Sequence, residues 1–204
     1  MIGIVDYGLG NIQAFANIYK KLNVPYKTVS RAEDLKKVTK FILPGVGAFD
    51  HAIELLRKSG MREPLDELVV RQQMPVLGIC VGMQMLAHSS EEGSLPGLGW
   101  IDGIVKKFDP SALNHKTHLP HMGWNEINPI QNDTLIQGLN GGSRFYFLHS
   151  YYFDCRNSEN IVATTDYGVS FACMVNSGNV YGVQFHPEKS HQNGIQLLKN
   201  FGNL

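Results

Sequence analysis

Val76-Leu77-Gly78-Ile79-Cys80-Val81-Gly82-Met83-Gln84 reads as an apolar strand, a Gly-x-Cys-x-Gly turn and the start of a helix. A sharp strand-to-helix turn of this kind lifts its central side chain off the edge of a sheet. Gly78 and Gly82 permit close packing of strand and helix around it. The sulfur of Cys80 then lies at a helix N-terminus, whose partial positive charge favours thiolate. The backbone N–H of Val81 points to where an oxyanion would develop. A cysteine is most often a buried structural residue. The placement of Cys80 between a strand and a helix favours a nucleophile instead.

Working back from this turn, the chain alternates. Ile2–Val5 is a short apolar run closed by Asp6-Tyr7-Gly8, a buried first strand. Asn11 can cap a helix over about 11–22, in which Ile12, Phe15, Ile18, Tyr19 and Leu22 recur at helical spacing. Lys27–Val29 and Phe41–Leu43 are the next strands, and helices follow over about 48–57 and 63–72. Pro64 falls in the first turn of the latter, where its missing N–H is tolerated. Val76 lies in the third apolar strand, 75–79, and a helix over 81–88 follows. Parallel strands need crossover helices, so this β-α-β-α-β-α order predicts an α/β sheet covered on both faces.

Working forward, the texture changes after Gly93. Gly, Pro and Asn become frequent and the apolar runs shorten to Trp100–Val105, Phe145–Leu148, Ile161–Thr165, Phe171–Val175 and Val180–Phe185. These read as hairpin-linked strands, with Asn176–Asn179 a turn between two of them. A last helix covers about 190–201. With no repeat and no linker, the 204 residues read as one domain: a mostly parallel core with an antiparallel extension.

The bulk composition narrows the function classes. Hydrophobic residues make up 43% and charged residues 18%, as a globular core requires. Eighteen basic residues balance eighteen acidic ones, which removes any global electrostatic pull towards nucleic acid or an anionic membrane. No window reaches the roughly 18 apolar residues of a membrane span. Met1–Asn11 shows no basic n-region of a signal peptide. The expected location is cytoplasmic. The three cysteines, Cys80, Cys155 and Cys173, fit reduced thiols rather than a disulfide framework. Cys155 and Cys173 have no turn of the Cys80 kind around them and read as structural.

An activated thiol needs an imidazole base, and the imidazole an orienting acid. Gly182-Val183-Gln184-Phe185-His186-Pro187-Glu188 supplies both. In extended chain His186 and Glu188 share a face, roughly 6–7 Å apart at Cα. Pro187 favours that geometry. Leu43-Pro44-Gly45-Val46-Gly47-Ala48 ends a parallel strand, at the rim where α/β sites form, and its free N–H groups are candidates for the rest of an oxyanion hole. Gly8-Leu9-Gly10-Asn11 lacks the third glycine of a dinucleotide fingerprint. His115, His118 and His121 are spaced by three, but no cysteine or acid stands near enough in sequence to complete a zinc site. A polar loop explains them better.

These segments together resemble the class I (triad) glutamine amidotransferases, and within them the glutaminase subunits of imidazole glycerol phosphate synthase. The likeness rests on Asp6-Tyr7-Gly8-x-Gly10-Asn11, Pro44-Gly45-Val46-Gly47-Ala48-Phe49, Gly78–Gln84, Pro120-His121-Met122-Gly123-Trp124-Asn125, Tyr146-Phe147-Leu148-His149-Ser150-Tyr151 and His186-Pro187-Glu188-Lys189-Ser190. They occur in family order over almost the whole chain. The resemblance implies a three-layer, flavodoxin-like fold and a Cys80–His186–Glu188 triad that attacks the amide of L-glutamine. It implies an oxyanion hole from Val81 and the Gly45, Val46, Gly47 strand, which reorients when a partner is engaged. Gln84, Glu92 and the backbone of His149, Ser150 and Tyr151 would hold glutamine, with Glu92 suited to its α-ammonium.

The implied partner is a (β/α)8-barrel cyclase in a heterodimer. It would receive ammonia to make imidazole glycerol phosphate and AICAR, with Trp124, Tyr146 and Lys189 at the interface and no cofactor or metal. A paralogous barrel that aminates surface-polysaccharide sugars is the alternative acceptor. Two other classes stand beside this reading. One is a different cysteine hydrolase on the same turn, but a Glu two residues after the His belongs to the amidotransferase pattern. The other is a regulatory protein that kept only the fold, against which the intact Cys80, His186 and Glu188 speak.

Overall fold

The computed structural model of the chain describes residues 1–112 and 118–204. The first half runs β1 (Ile2–Val5), α1 (Ile12–Lys21), β2 (Tyr26–Val29), β3 (Lys40–Gly45) and α2 (Phe49–Lys58). A short α3 (Arg62–Asp66) continues as a π-helical turn over Glu67–Arg71, then come β4 (Val76–Cys80) and α4 (Val81–Gln84). The second half holds β5 (Ser89–Ser90), β6 (Gly103–Lys107), β7 (His121–Glu126), β8 (Asn128–Pro129), β9 (Arg144–His149) and β10 (Tyr151–Cys155). It closes with β11 (Ile161–Asp166), β12 (Ser170–Ser177), β13 (Val180–Val183) and α5 (His191–Asn203).

The main sheet runs β2-β1-β3-β4-β13-β12-β10-β6-β5. From β2 to β13 every pairing is parallel. With β13 as the fifth strand this is the flavodoxin-like order. β12, β10 and β6 then pair antiparallel, and β11 and β8 extend the sheet from β12. β7 and β9 form a separate antiparallel pair. The α/β class, the mostly parallel core and the antiparallel extension are therefore as the sequence predicts.

The burial follows from the patterns. β1 and β4 are buried at every position, as strands covered on both faces must be. α1 turns Phe15, Ala16 and Tyr19 inward, and α2 turns Phe49, Ala52, Ile53 and Leu56 inward. Phe145 of β9 stacks on Phe185 just past β13 at 4.0 Å, which fastens the small sheet to the large one.

Tertiary hydrogen bonds correct several expected boundaries. The helix expected over 81–88 ends at Gln84. Beyond it, Leu86 O accepts from Trp100 N–H, Ala87 O accepts from Gly99 N–H, and His88 N–H donates to Gly103 O. These bonds draw the chain to the sheet edge as β5. The strand expected at 100–105 begins at Gly103 for the same reason. The ladder expected to reach Phe185 stops at Val183.

The parallel ladders set the site. Gly45 pairs with Cys80 and Val183 with Ile79, so β3, β4 and β13 all end at one rim of the sheet. His186 lies three residues beyond the end of β13.

Candidate active site

Cys80 has φ +56° and ψ −113°, a conformation that side chains other than hydrogen avoid. The turn holds it there because its neighbours are glycines. A Cβ on Gly78 would stand 2.6 Å from Gly82 O, and one on Gly45 would stand 2.5 Å from Gly82 N. A Cβ on Gly82 would collide with Leu43 O. Strand β3, strand β4 and helix α4 thus touch through bare backbone, and the thiol is forced out at the rim.

Cys80 and His186 line one cavity. His186 Nδ1 lies 2.9 Å from Glu188 Oε1, and the two side chains are only 5% and 3% exposed. Burial alone would lower the imidazole pKa. The hydrogen bonds and charges of Cys80 and Glu188 outweigh it and raise the pKa to about 10. The loop carrying both residues is fixed to β9: His186 N–H donates to Tyr146 O at 2.8 Å, and Ser190 Oγ donates to His186 O. The second carboxylate oxygen of Glu188 is buried and takes no hydrogen bond among the described residues. By contrast, burial pushes the Cys155 thiol up to about 12 and the Cys173 thiol higher still, so neither is prepared as a nucleophile.

A cavity of about 310 Å³ opens above Cys80. Of the residues singled out in the sequence, Val46, Gly47, Val81, Gln84, Glu92, His149, Ser150, Tyr151, His186 and Lys189 line it with Cys80. Glu188 stands behind His186. Gly45 lies buried beneath the cavity against Val81 and Gly82. Trp124 and Tyr146 are outside it: they face each other across β7 and β9, and Lys189 Nζ sits 5.6 Å over the Tyr146 ring.

Gln84 is braced on both sides, donating to Tyr151 O at 3.0 Å and to Gln184 Oε1 at 3.1 Å. Gln184 and the Leu148 carbonyl both stand 3.9 Å from the sulfur. Neither was singled out from sequence. Gln184 was legible as a polar residue set between Val183 and Phe185 in an apolar run, whereas nothing marks Leu148, which acts through its backbone.

The histidine series resolves differently from a polar loop. His115 lies outside the described residues, and His118 is exposed. His121 is buried, stacked on Tyr167 and Phe147, and bonded to His149. Among the described residues no group of three His, Cys, Asp or Glu side chains could hold a metal ion. Among them, too, no helix is long and apolar enough to cross a membrane.

Residues 3–203 match the family of class-I glutamine amidotransferases, and the chain belongs to that family of enzymes. It is 56% identical over its full length, and that of the relative, to the imidazole glycerol phosphate synthase subunit HisH of Bdellovibrio bacteriovorus. It is 52% identical, again over both full lengths, to the subunit of that name from Leptospira interrogans. Among solved structures, one described as a glutamine amidotransferase superposes with a TM-score of 0.73 at 20% identity, covering 100% of this chain and 99% of that one. That likeness is one of fold.

Proposed function

We propose that this chain hydrolyses L-glutamine with Cys80, His186 and Glu188, and delivers the ammonia to a (β/α)8-barrel cyclase that makes imidazole glycerol phosphate and AICAR for histidine biosynthesis. The observation that carries the chemistry is the strained Cys80 in one cavity with His186, itself 2.9 Å from Glu188. The pathway is supported by the 56% and 52% identical HisH relatives.

The Cys80 thiol gives its proton to His186 as its sulfur attacks the side-chain amide carbon, and the electron pair of the C=O moves to oxygen. The N–H of Val81 binds that oxyanion, joined by the Gly45, Val46, Gly47 segment once it has reoriented on engagement of the partner. As the tetrahedral adduct collapses, the amide nitrogen takes that proton from His186, the C–N bond breaks, ammonia leaves and a γ-glutamyl thioester remains. A water then loses its proton to His186, attacks the thioester and releases glutamate with the thiol restored. Glu188 keeps the imidazole oriented and stabilises its charge throughout. Glu92 receives the α-ammonium of glutamine, and the backbone of residues 149–151 its α-carboxylate end.

The partner docks on the outer face of β7 and β9. Strand alternation puts Met122 and Trp124 on that face, opposite Leu148 and Tyr146, and Met122 is 64% exposed. Isolated exposed apolar residues are common, but a contiguous group beside an active-site cavity fits a partner.

The deciding experiment is glutaminase turnover of the chain alone and with the histidine-pathway cyclase and its nucleotide substrate. Strong activation, lost in Cys80→Ala, is the expected result. Activation only by a paralogous barrel would keep the chemistry and move the pathway. Inactivity with every barrel would overturn the triad.

A further inference from the structure

Glu92 does not stand alone at the cavity wall. One oxygen, Oε2, accepts from the backbone N–H of Phe49 at 2.8 Å, in the first turn of α2. The next residue of that helix, Asp50, reaches back to the loop that carries Glu92. Its Oδ2 accepts from Ser94 N–H at 2.9 Å and from Ser94 Oγ at 3.4 Å, and its Oδ1 accepts from Leu95 N–H at 3.1 Å. Gly93 lies so close to this carboxylate that a Cβ there would overlap it. On the far side, Glu92 N–H donates to Ser90 Oγ at 3.1 Å, at the end of β5. The 92–95 loop has no strand or helix of its own to hold it. These contacts hold it to the helix that follows the Gly45–Gly47 segment.

We infer that Asp50 is a positioning residue for glutamine recognition: by clamping the 93–95 backbone to α2, it fixes the Glu92 carboxylate where the substrate ammonium binds. This rests on the role proposed above for Glu92. The backbone bonds to Ser94 and Leu95 keep the Asp50 carboxyl below its ordinary pKa, so the clamp is anionic at neutral pH. A carboxylate in the first turn also complements the helix dipole. The same turn receives Glu92 and follows the oxyanion segment directly, so placement of the ammonium site and of that segment share one anchor.

The test compares two substrates in the full chain assembled with its cyclase: glutamine, and glutaramate, which is glutamine without its α-amino group. Asp50→Asn keeps the shape of the side chain and weakens the two backbone bonds. It should lower kcat/KM for glutamine on the order of tenfold, through KM, because charge-assisted hydrogen bonds of this kind contribute about that much. Glutaramate, which makes no contact with Glu92, should be turned over as in the wild type. An equal loss on both substrates, or no loss on either, would overturn the inference.

Glu92→Gln separates the inference from its premise. It should erase the preference for glutamine over glutaramate. If that preference survives, the ammonium site is elsewhere and the assignment of Glu92 falls with the inference. If it is erased while Asp50→Asn behaves as wild type, only the role of Asp50 is refuted. Gly93→Ala provides the second variant should Asp50→Asn not fold. Its methyl group displaces the carboxylate, so the same substrate-selective loss is expected.

Discussion

His121 Nδ1 donates to His149 Nε2 across 3.0 Å, and the direction of that bond is fixed by what lies beyond it. His149 Nδ1 is 2.7 Å from Tyr151 O, and a carbonyl only accepts, so Nδ1 carries the proton and Nε2 is the acceptor. His121 therefore carries its proton on Nδ1, and its Nε2 accepts from Asn125 Nδ2 at 3.3 Å. The chain works only if both rings are neutral. Burial, with the neighbouring His121 adding to it, lowers the pKa of His149 to about 3, and burial lowers that of His121 to about 4.

The pH dependence of stability follows with a definite sign. Unfolded histidine titrates near 6.5, so below that pH the unfolded chain binds protons that the native pair refuses. Stability is full above pH 6.5 and falls as pH drops towards 4, by at most about 1.4 kcal/mol per pH unit for His149. His186 acts oppositely: with its pKa raised to about 10, its contribution is full below 6.5 and is lost as pH rises through 10. Denaturant midpoints from pH 4 to 10 should peak near 6.5. His121→Gln should flatten the acid limb, and an unchanged slope in that variant would refute the neutral pair.

Removing the negative charge beside His186 tests the triad without disturbing its shape. Glu188→Gln keeps an oxygen for Nδ1–H but loses the carboxylate that raises the imidazole pKa. Turnover should fall roughly 10²–10⁴-fold, by analogy with loss of the charged orienting acid in the serine-protease triad. The pH profile should shift with it. Steady-state kinetics beside circular dichroism will separate this from unfolding, and turnover near wild type would remove Glu188 from the mechanism.

Cys80, the proposed nucleophile, also carries backbone strain. Glycine tolerates φ +56°, ψ −113° and cysteine does not, so Cys80→Gly should abolish turnover yet stabilise the chain by about 1 kcal/mol. Cys80→Ala should be inactive with no such gain, since alanine keeps the strain. Chemical denaturation of the three proteins decides this. Equal stability of the glycine and alanine variants would mean that the turn at Cys80 stores little strain.

The parts of this molecule that were legible in advance share a physical cause. β1, β3, β4, α1 and α2 each bury a face with its own periodicity, so local pattern and tertiary environment agree. Cys80, His186 and Glu188 can be singled out because Gly-x-Cys-x-Gly and His-x-Glu are short local patterns, and the structure brings Cys80 and His186 to one cavity with Glu188 2.9 Å from His186. What was missed depends on distant partners. α4 stops at Gln84 because backbone groups of residues 97–103 take up the next carbonyls and amides. β7 alternates exposed Met122 and Trp124 with a glycine and a polar residue, so its apolar face lies away from the core and gives no inward pattern. His121 looked like one of a series in a loop, and only its pairing with His149, 28 residues away, makes it part of the interior.

The contact of β3 with α4 predicts how little room the rim of the sheet has. Gly82→Ala would drive a methyl into Leu43 O and bring it within 3.3 Å of the Pro44 carbonyl carbon. Both are backbone atoms of the strand leading to Gly45, so no side-chain rotation relieves the clash. The chain should lose about 2–3 kcal/mol of stability, the scale of overpacking in a tight interior. Turnover should fall as well, because β3 leads into the segment proposed to bind the oxyanion. A crystal structure of a stable, active Gly82→Ala protein with β3 unmoved would contradict the close approach.

Met122 offers the converse case, a large apolar residue whose loss should cost the isolated chain nothing. It is 64% exposed and lies opposite Leu148, which is 36% exposed, on the outer face of β7 and β9. Substitutions at such a site change stability by no more than about 0.5 kcal/mol. A charge in the middle of an interface would be desolvated without a partner, so Met122→Glu should weaken binding of the cyclase by about tenfold or more. Basal glutaminase activity should be unchanged, while activation should require correspondingly more cyclase. Titration calorimetry on wild type and variant measures this directly. Equal affinities would move the proposed interface off this face.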